Sequence, residues 1–412
     1  MRQVCGNWVS GADFWDREDD IRLLTGRIED RHNILLVAQR RIGKTSLLHE
    51  LSRRLEDRYL CLFVDVQHCK CSADAIVELS LVTKPHASLW RKTANLFSNA
   101  LRGLRNAVDG VELKDIRIQL RAGLTGGNWT DRGDRLFAIL AGAEVPVLLL
   151  LDEVPILVNR ILRQDGDAVS PRAKTEADEF MSWLRRNTIR HQGEVTTVLS
   201  GSIGLEPVLH QAGLSATLNT FSPFELKPWD KATAMGCLEA LAEQYGVTFD
   251  EGAAARIVHL LKCCIPHHVQ MFFTRVYERC RRRENMMVTA EDVQATYETE
   301  MLSVRGHAEL THYEERLEMV LTREHCILAL EMLTEAAVVG DLSPDALAAL
   351  RKCSDLDAEA AIEAQREILN ILQHDGYLEQ REGLFVFESH LLRDWWQRRY
   401  GAFYQPALQR EC

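Results

Sequence analysis

The sequence predicts an α/β fold with a mostly parallel sheet that is covered by helices on both faces. Helical patterns separate five apolar runs in the first half of the chain, at residues 33–37, 59–66, 145–154, 195–202 and 221–228. Continuous apolar runs, as opposed to alternating ones, are typical of parallel strands buried on both faces. The first run also leads directly into a glycine-lysine-threonine turn and a helix, which is a second mark of this fold class.

That turn lies in "NILLVAQRRIGKTSLLHEL", residues 33–51, and nearly matches the phosphate-binding pattern G-x-x-x-x-G-K-[ST]. Ala38 stands where the pattern has its first glycine, which would strain the backbone if φ had to be positive there. Lys44 is expected to reach the β and γ phosphate oxygens, and Thr45 to bind Mg²⁺. Loop N–H groups and the positive helix end would cradle the phosphates, so the predicted nucleotide-binding residues also include Gln39, Arg40, Arg41, Ile42, Gly43 and Ser46.

A pair of acids follows the third apolar run, in "LLLLDEVP". The carboxyl edge of a parallel sheet is where ligands of α/β proteins bind. Asp152 is therefore expected to hold Mg²⁺, and Glu153 to polarise the water that attacks ATP. Taken singly, each could be an exposed strand-end acid; paired with a phosphate loop, they predict hydrolysis as well as binding.

Composition sets the class of protein. The 412 residues suffice for two or three domains. The sequence contains no apolar run of eighteen residues, so it predicts no membrane span. No signal peptide is evident, and eleven scattered cysteines fit a reducing cytoplasm. A net charge of -11 argues against a surface coated for nucleic acid. The segment with His68, Cys69 and Cys71 lacks a second ligand pair at zinc spacing, which favours structural thiols.

Several segments together resemble the archaeal-type ATPases, which belong to the AAA+-related P-loop ATPases near the signal-transducing STAND proteins and the origin-recognition ATPases. These segments are "FWDREDDIRLL", "AQRRIGKTSLL", "LLLLDEVP", "VLSGSIGLEPVL" and "HDGYLEQREGLFVFESHLLRDWWQRRY". The resemblance implies an ASCE-type parallel sheet of order 5-1-4-3-2, an all-α lid and a C-terminal winged helix. The expected domains are an ATPase core with its N-terminal lead-in (1–228), a lid (229–320) and a winged-helix domain (321–412).

The resemblance also implies roles for three further residues. Ser202 falls where such ATPases place a polar sensor of the γ-phosphate, although a turn serine is an equal alternative. Arg17, followed by Glu18, matches residues near the base, with exposed helix-start charges as the alternative. Pro266 matches the lid proline that touches the nucleotide, but Cys264 replaces the glycine of that element.

Missing arginines favour slow turnover. No arginine lies between Arg190 and Arg256, where ring-forming relatives carry an arginine finger, and the usual lid arginine is absent. Such a finger contributes several powers of ten in rate. Three arginines of the preceding helix could act in trans or form a solvated face: Arg185, Arg186 and Arg190.

Three functions follow from these patterns. The favoured one is an ATP-hydrolysing switch that acts through a separate effector, with a role in prokaryotic signalling or anti-phage defence and with homo-oligomers left open. The second is an origin-recognition-like DNA loader, which the acidic predicted reading helix (358–374) disfavours. The third is a nucleotide-bound scaffold that does not hydrolyse ATP.

Overall fold

The computed structural model describes residues 7–103, 112–166, 168–303 and 308–411. The chain forms two compact units. The first, here called the sheet unit, comprises residues 17–37 and 47–225; the second, the helical unit, comprises residues 1–16, 38–46 and 226–412. The predicted phosphate loop therefore groups with the C-terminal part of the chain, whereas the sequence places it in a core of residues 1–228.

The central sheet, as far as the described residues form it, has five strands in the order β2-β3-β4-β1-β5, which confirms the predicted order. β2 pairs with β3, β3 with β4 and β4 with β1, in each case in parallel. Every residue of β3 is buried, because helices cover both faces of this central strand. The strands are β1 (Asn33–Ala38), β2 (Leu60–Asp65), β3 (Val147–Asp152), β4 (Val195–Leu199) and β5 (Phe221–Leu226).

Among the described residues, nine helices flank these strands along the chain: α1 (Glu18–Glu29), α2 (Lys44–Leu55), α3 (Ser72–Leu81), α4 (Ala87–Leu96), α5 (Leu113–Ala122), α6 (Trp129–Ala141), α7 (Val154–Leu162), α8 (Pro171–Arg190) and α9 (Leu205–Gln211). The longest, α8, begins with a proline after Ser170, whose hydroxyl accepts the N–H of Ala173. Helices α6 and α8 pack through aromatic rings, with Trp183 edge-on to both Trp129 and Phe137.

The helical unit continues with α10 (Lys231–Tyr245), α11 (Ala253–Leu261), α12 (Pro266–Arg282), α13 (Ala290–Thr296) and α14 (Ala308–Val320). Two strands of two residues each, β6 (Thr248–Phe249) and β7 (Met287–Val288), pair in parallel between these helices. The sequence predicts no strand here, because two residues are too few to give a periodic signal. No helix within the described ranges is both long and apolar enough to cross a bilayer.

The last ninety residues form three helices, an antiparallel hairpin and a final helix: α15 (Arg323–Val339), α16 (Pro344–Lys352), α17 (Ala358–His374), β8 (Leu378–Arg381), β9 (Leu384–Phe387) and α18 (His390–Tyr400). Thr322, Ser343, Asp357 and Ser389 cap the four helices through their side chains. Trp395 and Trp396 of α18 are both fully buried.

Gly133 offers a test of the packing between α6 and α8. A methyl group there would lie 2.6 Å from Trp183, so Gly133→Ala should destabilise the protein by about 1–3 kcal/mol through overpacking. Gly26 in α1 is the matched control, because no atom lies within 4 Å of the point that an added methyl group would occupy. Gly26→Ala should stabilise the protein by about 1 kcal/mol through helix propensity. Urea midpoints that move in the same direction for both variants would contradict this account.

Candidate functional site

The phosphate loop, residues 38–46, turns through two left-handed residues. Arg41 has φ 61° and Gly43 has φ 97°, whereas Ala38 is not among the residues with positive φ. Alanine at the first motif position therefore causes no left-handed strain, which removes the concern raised by the sequence. Nothing lies within 4 Å of a Cβ built on Gly43, so its requirement within the protein is conformational.

Lys44 opens α2, and its side chain turns back along the loop. Its ammonium group donates to the carbonyls of Ala38 (2.9 Å) and Gln39 (2.8 Å). The charge is thereby held beside the loop at the positive end of a helix, a combination suited to phosphate. Ser46 accepts the N–H of Val9 at 3.1 Å, so the N-terminal lead-in is anchored on the same loop.

Two other loop side chains contact the helical unit. Gln39 donates to the carboxylate of Glu388, which follows the hairpin, and a Cβ on Gly376 would collide with Gln39. The guanidinium of Arg41 lies 2.6 Å from Nε2 of His267 at the start of α12. These contacts explain why the loop groups with the C-terminal residues.

The strand-end acids of the sheet unit are each held by a serine. Oδ1 of Asp152, which is only 5% exposed, accepts the hydroxyl of Ser200 at 2.5 Å and the N–H of Glu153 at 3.0 Å. Oε2 of Glu153 accepts both the N–H (2.9 Å) and the hydroxyl (2.7 Å) of Ser202. Glu153 also has a left-handed backbone, φ 62°, just before α7. A strained polar residue of this kind is typical of functional sites.

Ser202 thus contacts Glu153, and its predicted role as a γ-phosphate sensor stays a prediction. Ser200 is a functional candidate that sequence reasoning missed, because only the register of β4 beside β3 shows its proximity to Asp152. Pro266, which is expected to touch the nucleotide, begins α12. Arg17 is buried and binds Asp20 at 3.1 Å, so the alternative of an exposed charge is wrong for Arg17.

Each unit, taken by itself, carries groups of the chemical kind that suits a nucleotide with Mg²⁺. The loop offers a buried lysine amine and N–H groups at a helix start, and the sheet unit offers the carboxylate of Asp152. Carboxylate and hydroxyl oxygens are the ligands that Mg²⁺ prefers. Elsewhere in the described part of the chain, no group of three or more metal-ligating side chains occurs, and burial raises the pKa of the Cys69 thiol.

Most of the arginines in and next to α12, α17 and α18 are paired with acids or carbonyls. In α12, Arg279 and Arg282 both face Glu300, and Arg283 pairs with Asp292. In α18, Arg393 pairs with Asp394, Arg399 pairs with Glu314 at 2.8 Å, and Arg398 donates to the carbonyl of Glu298. In α17, Arg366 pairs with Glu363. Because these charges are already compensated, they offer little net attraction to a phosphate backbone.

Comparisons with known proteins identify the fold. Neither a protein-family model nor a curated protein matches the sequence. A solved Walker-type ATPase of Pyrococcus abyssi is similar over 95% of this chain and 98% of its own, at 18% identity and a TM-score of 0.59. The ORC2 protein of Aeropyrum pernix, solved as ADPNP-ADP complexes, is similar over 95% and 98%, at 14% identity and a TM-score of 0.53. The predicted resemblance is therefore confirmed at the level of the fold.

His267 predicts a pH dependence of stability. Burial, and then the charges of Arg41 and Arg40, lower its pKa to about 3. Between the unfolded pKa of about 6.5 and this value, only the unfolded chain takes up the proton, so stability falls as the pH falls. From pH 7.5 to pH 5 this group should cost up to about 2 kcal/mol. His267→Gln keeps an acceptor for Arg41 and should remove that part of the loss. Equal losses in both proteins, measured by urea unfolding, would contradict it.

Proposed function

We propose that this protein binds ATP with Mg²⁺ and hydrolyses it slowly, as a molecular switch that acts through a partner protein. One observation supports hydrolysis above others. Two adjacent carboxylates, Asp152 and Glu153, follow a fully buried parallel strand, and the serines that follow the neighbouring strand hold both of them. The alternative of two independent exposed acids does not account for this arrangement or for the strained backbone of Glu153.

The proposed roles follow from the chemistry of each group. Lys44 compensates charge on the β and γ phosphates, and the loop N–H groups of residues 39–46 bind phosphate oxygens. Thr45 and Asp152 are the proposed oxygen ligands of Mg²⁺, which when bound would supply charge neutralisation. Glu153 accepts a proton from the attacking water or orients it. Arg17 is proposed to lie near the base, and Pro266 is proposed to touch the nucleotide.

Slow turnover is proposed on two grounds. The segment between Arg190 and Arg256 carries no arginine that could serve as a finger, and Arg186 of the preceding helix faces Asp134 at 3.4 Å. In addition, Ser202 donates twice to the carboxylate oxygen that would accept the proton. Hydrogen bonds to a carboxylate stabilise its ionised form and weaken it as a base. A partner or a second copy that releases Glu153 would accelerate the reaction.

A role in signalling or anti-phage defence with a separate effector is proposed from the sequence resemblance. A switch of this kind needs an element that responds to the nucleotide. The helical unit is suited to that task, because its side chains Glu388 and His267 contact the phosphate loop itself. Nucleotide state at the loop would in this way change the surface that the helical unit offers to a partner.

Phosphate release and ligand-induced melting shifts test the proposal. Lys44→Ala should weaken MgATP binding by roughly 10- to 100-fold, since a charge-assisted contact is lost. Glu153→Gln should retain binding and lose about 10²- to 10⁴-fold in phosphate release. Glu206→Gln, on the exposed first turn of α9, is the matched control and should behave like the wild type. Equal background release from wild type, Lys44→Ala and Glu153→Gln would favour the non-hydrolysing scaffold.

Duplex DNA binding separates the switch from a DNA loader. Because the arginines of α12 and α18 are largely paired, we expect no measurable binding of a duplex of about 30 base pairs at roughly 50 mM salt by fluorescence anisotropy. Tight binding at about 50 mM salt that weakens about 10³-fold by roughly 200 mM would instead indicate several phosphate contacts and favour the loader.

A further inference from the structure

Two arginines of the helical unit lie close to one another beside the phosphate loop. Arg316 comes from α14 and is only 5% exposed. Arg40 comes from the loop, is half-buried, and lies close enough to Arg316 for the two charges to repel. Tyr313 and Tyr377 lie near both arginines. Their rings meet edge to face at 5.5 Å, and the Tyr377 hydroxyl donates to the carbonyl of Tyr313 at 2.6 Å.

Neither arginine has an acidic partner within the described ranges. No hydrogen bond or ion pair of Arg40 or Arg316 occurs among those residues, in contrast to the paired arginines of α12 and α18. The acids nearby are engaged elsewhere, since Asp375 pairs with His374 at 3.1 Å and Glu388 accepts from Gln39. Removing a charge from water without a partner costs several kcal/mol.

Among the remaining titratable groups nearby, Asp375 raises the pKa of Tyr377 through its charge, whereas the two phenols add no negative charge. Burial raises the pKa of Tyr313 to about 12 and also raises that of Tyr377, so both phenols are neutral at about pH 7. Burial, followed by the charges of Arg316 and Arg41, lowers the pKa of Arg40 to about 10, which still leaves it protonated. His268 is fully buried, and neither of its ring nitrogens has a hydrogen-bond partner in the described part of the chain. The two guanidinium groups therefore outnumber the nearby carboxylate of Asp375, and His268 offers unused ring nitrogens.

We infer that Arg40 and Arg316 together bind a phosphate oxyanion. Two guanidinium groups present the forked donors that match phosphate, and an anion would compensate both charges at once. The inference rests on the proposed function in one respect, because Arg40 belongs to the loop that is proposed to hold ATP. Two sources supply this chemistry: the terminal phosphate of a nucleoside triphosphate and free inorganic phosphate. Arg316 thus serves as an anion sensor that α14 carries to the loop.

Arg316→Met tests the inference through stability and binding together. Without ligand, the variant should melt at a higher temperature than the wild type, because an uncompensated buried charge is replaced by an apolar side chain of similar length. With ligand, its melting shift should shrink, and its Kd should rise roughly 10-fold or more. Arg366→Met is the matched control, since Arg366 is exposed and paired with Glu363. Arg40→Met is a second test variant, at a position that is less buried than Arg316.

MgATP, MgADP and inorganic phosphate as separate probes distinguish the sources. If the variants lose affinity for MgATP only, the anion is the terminal phosphate of the nucleotide. If they lose affinity for inorganic phosphate only, the two arginines form a separate anion site. Both results support the inference. In the double variant that carries both Arg40→Met and Arg316→Met, the losses of binding free energy should be far from additive, because the two arginines share one anion. If the wild type binds MgATP and both single variants bind all three probes with unchanged affinity, the inference is overturned and the proposed function stands. If the wild type does not bind MgATP but binds inorganic phosphate, and Arg316→Met loses that phosphate binding, the proposed function fails and the inference stands.

Discussion

The parallel pairing of β3 with β4 and of β4 with β1 is the constraint on which the candidate site depends. Parallel strands end at one edge of the sheet, and the register of β3 against β4 decides which residues lie side by side at that edge. Leu151 pairs with Leu199, so the residues that follow them, Asp152 and Ser200, become neighbours. The hydrogen bond between their side chains is a direct consequence of this register.

Two of the residues with a left-handed backbone lie where the chain leaves strands β1 and β3. Arg41 and Glu153 both adopt left-handed backbone conformations without being glycine, at a cost of about 1–2 kcal/mol each. Such conformations persist only where the surroundings hold them. Lys44 bonds the carbonyls at the start of the loop, and Ser202 bonds the carboxylate of Glu153. At both residues, the polar groups that are proposed to act on the nucleotide also stabilise the left-handed backbone conformation.

The arginines of the surface helices and the arginines beside the phosphate loop differ in how their charges are compensated. The arginines of α12 and α18 are compensated by neighbouring acids, which leaves those helices with little free positive charge. Arg40 and Arg316 instead lie near neutral phenols. Since solvation energy is lost on burial, the second arrangement is stable only if another contribution offsets it. An anion is the simplest group that would do so, and it would couple the loop to α14.

The sequence by itself determined the strands, the order of elements and the chemistry-bearing loop, because apolar runs, Gly43-Lys44-Thr45 and the pair Asp152-Glu153 are local patterns. The sheet order came from resemblance to a family and agrees with the fold. Only the tertiary structure decided that Ser200 holds Asp152, that Ser202 holds Glu153 and that the loop contacts residues after position 226. Those contacts join residues that are far apart in the chain, and no periodicity or spacing encodes such pairs. The same reason explains why Arg316, an ordinary helical arginine in the sequence, emerges as a candidate only when its burial is known.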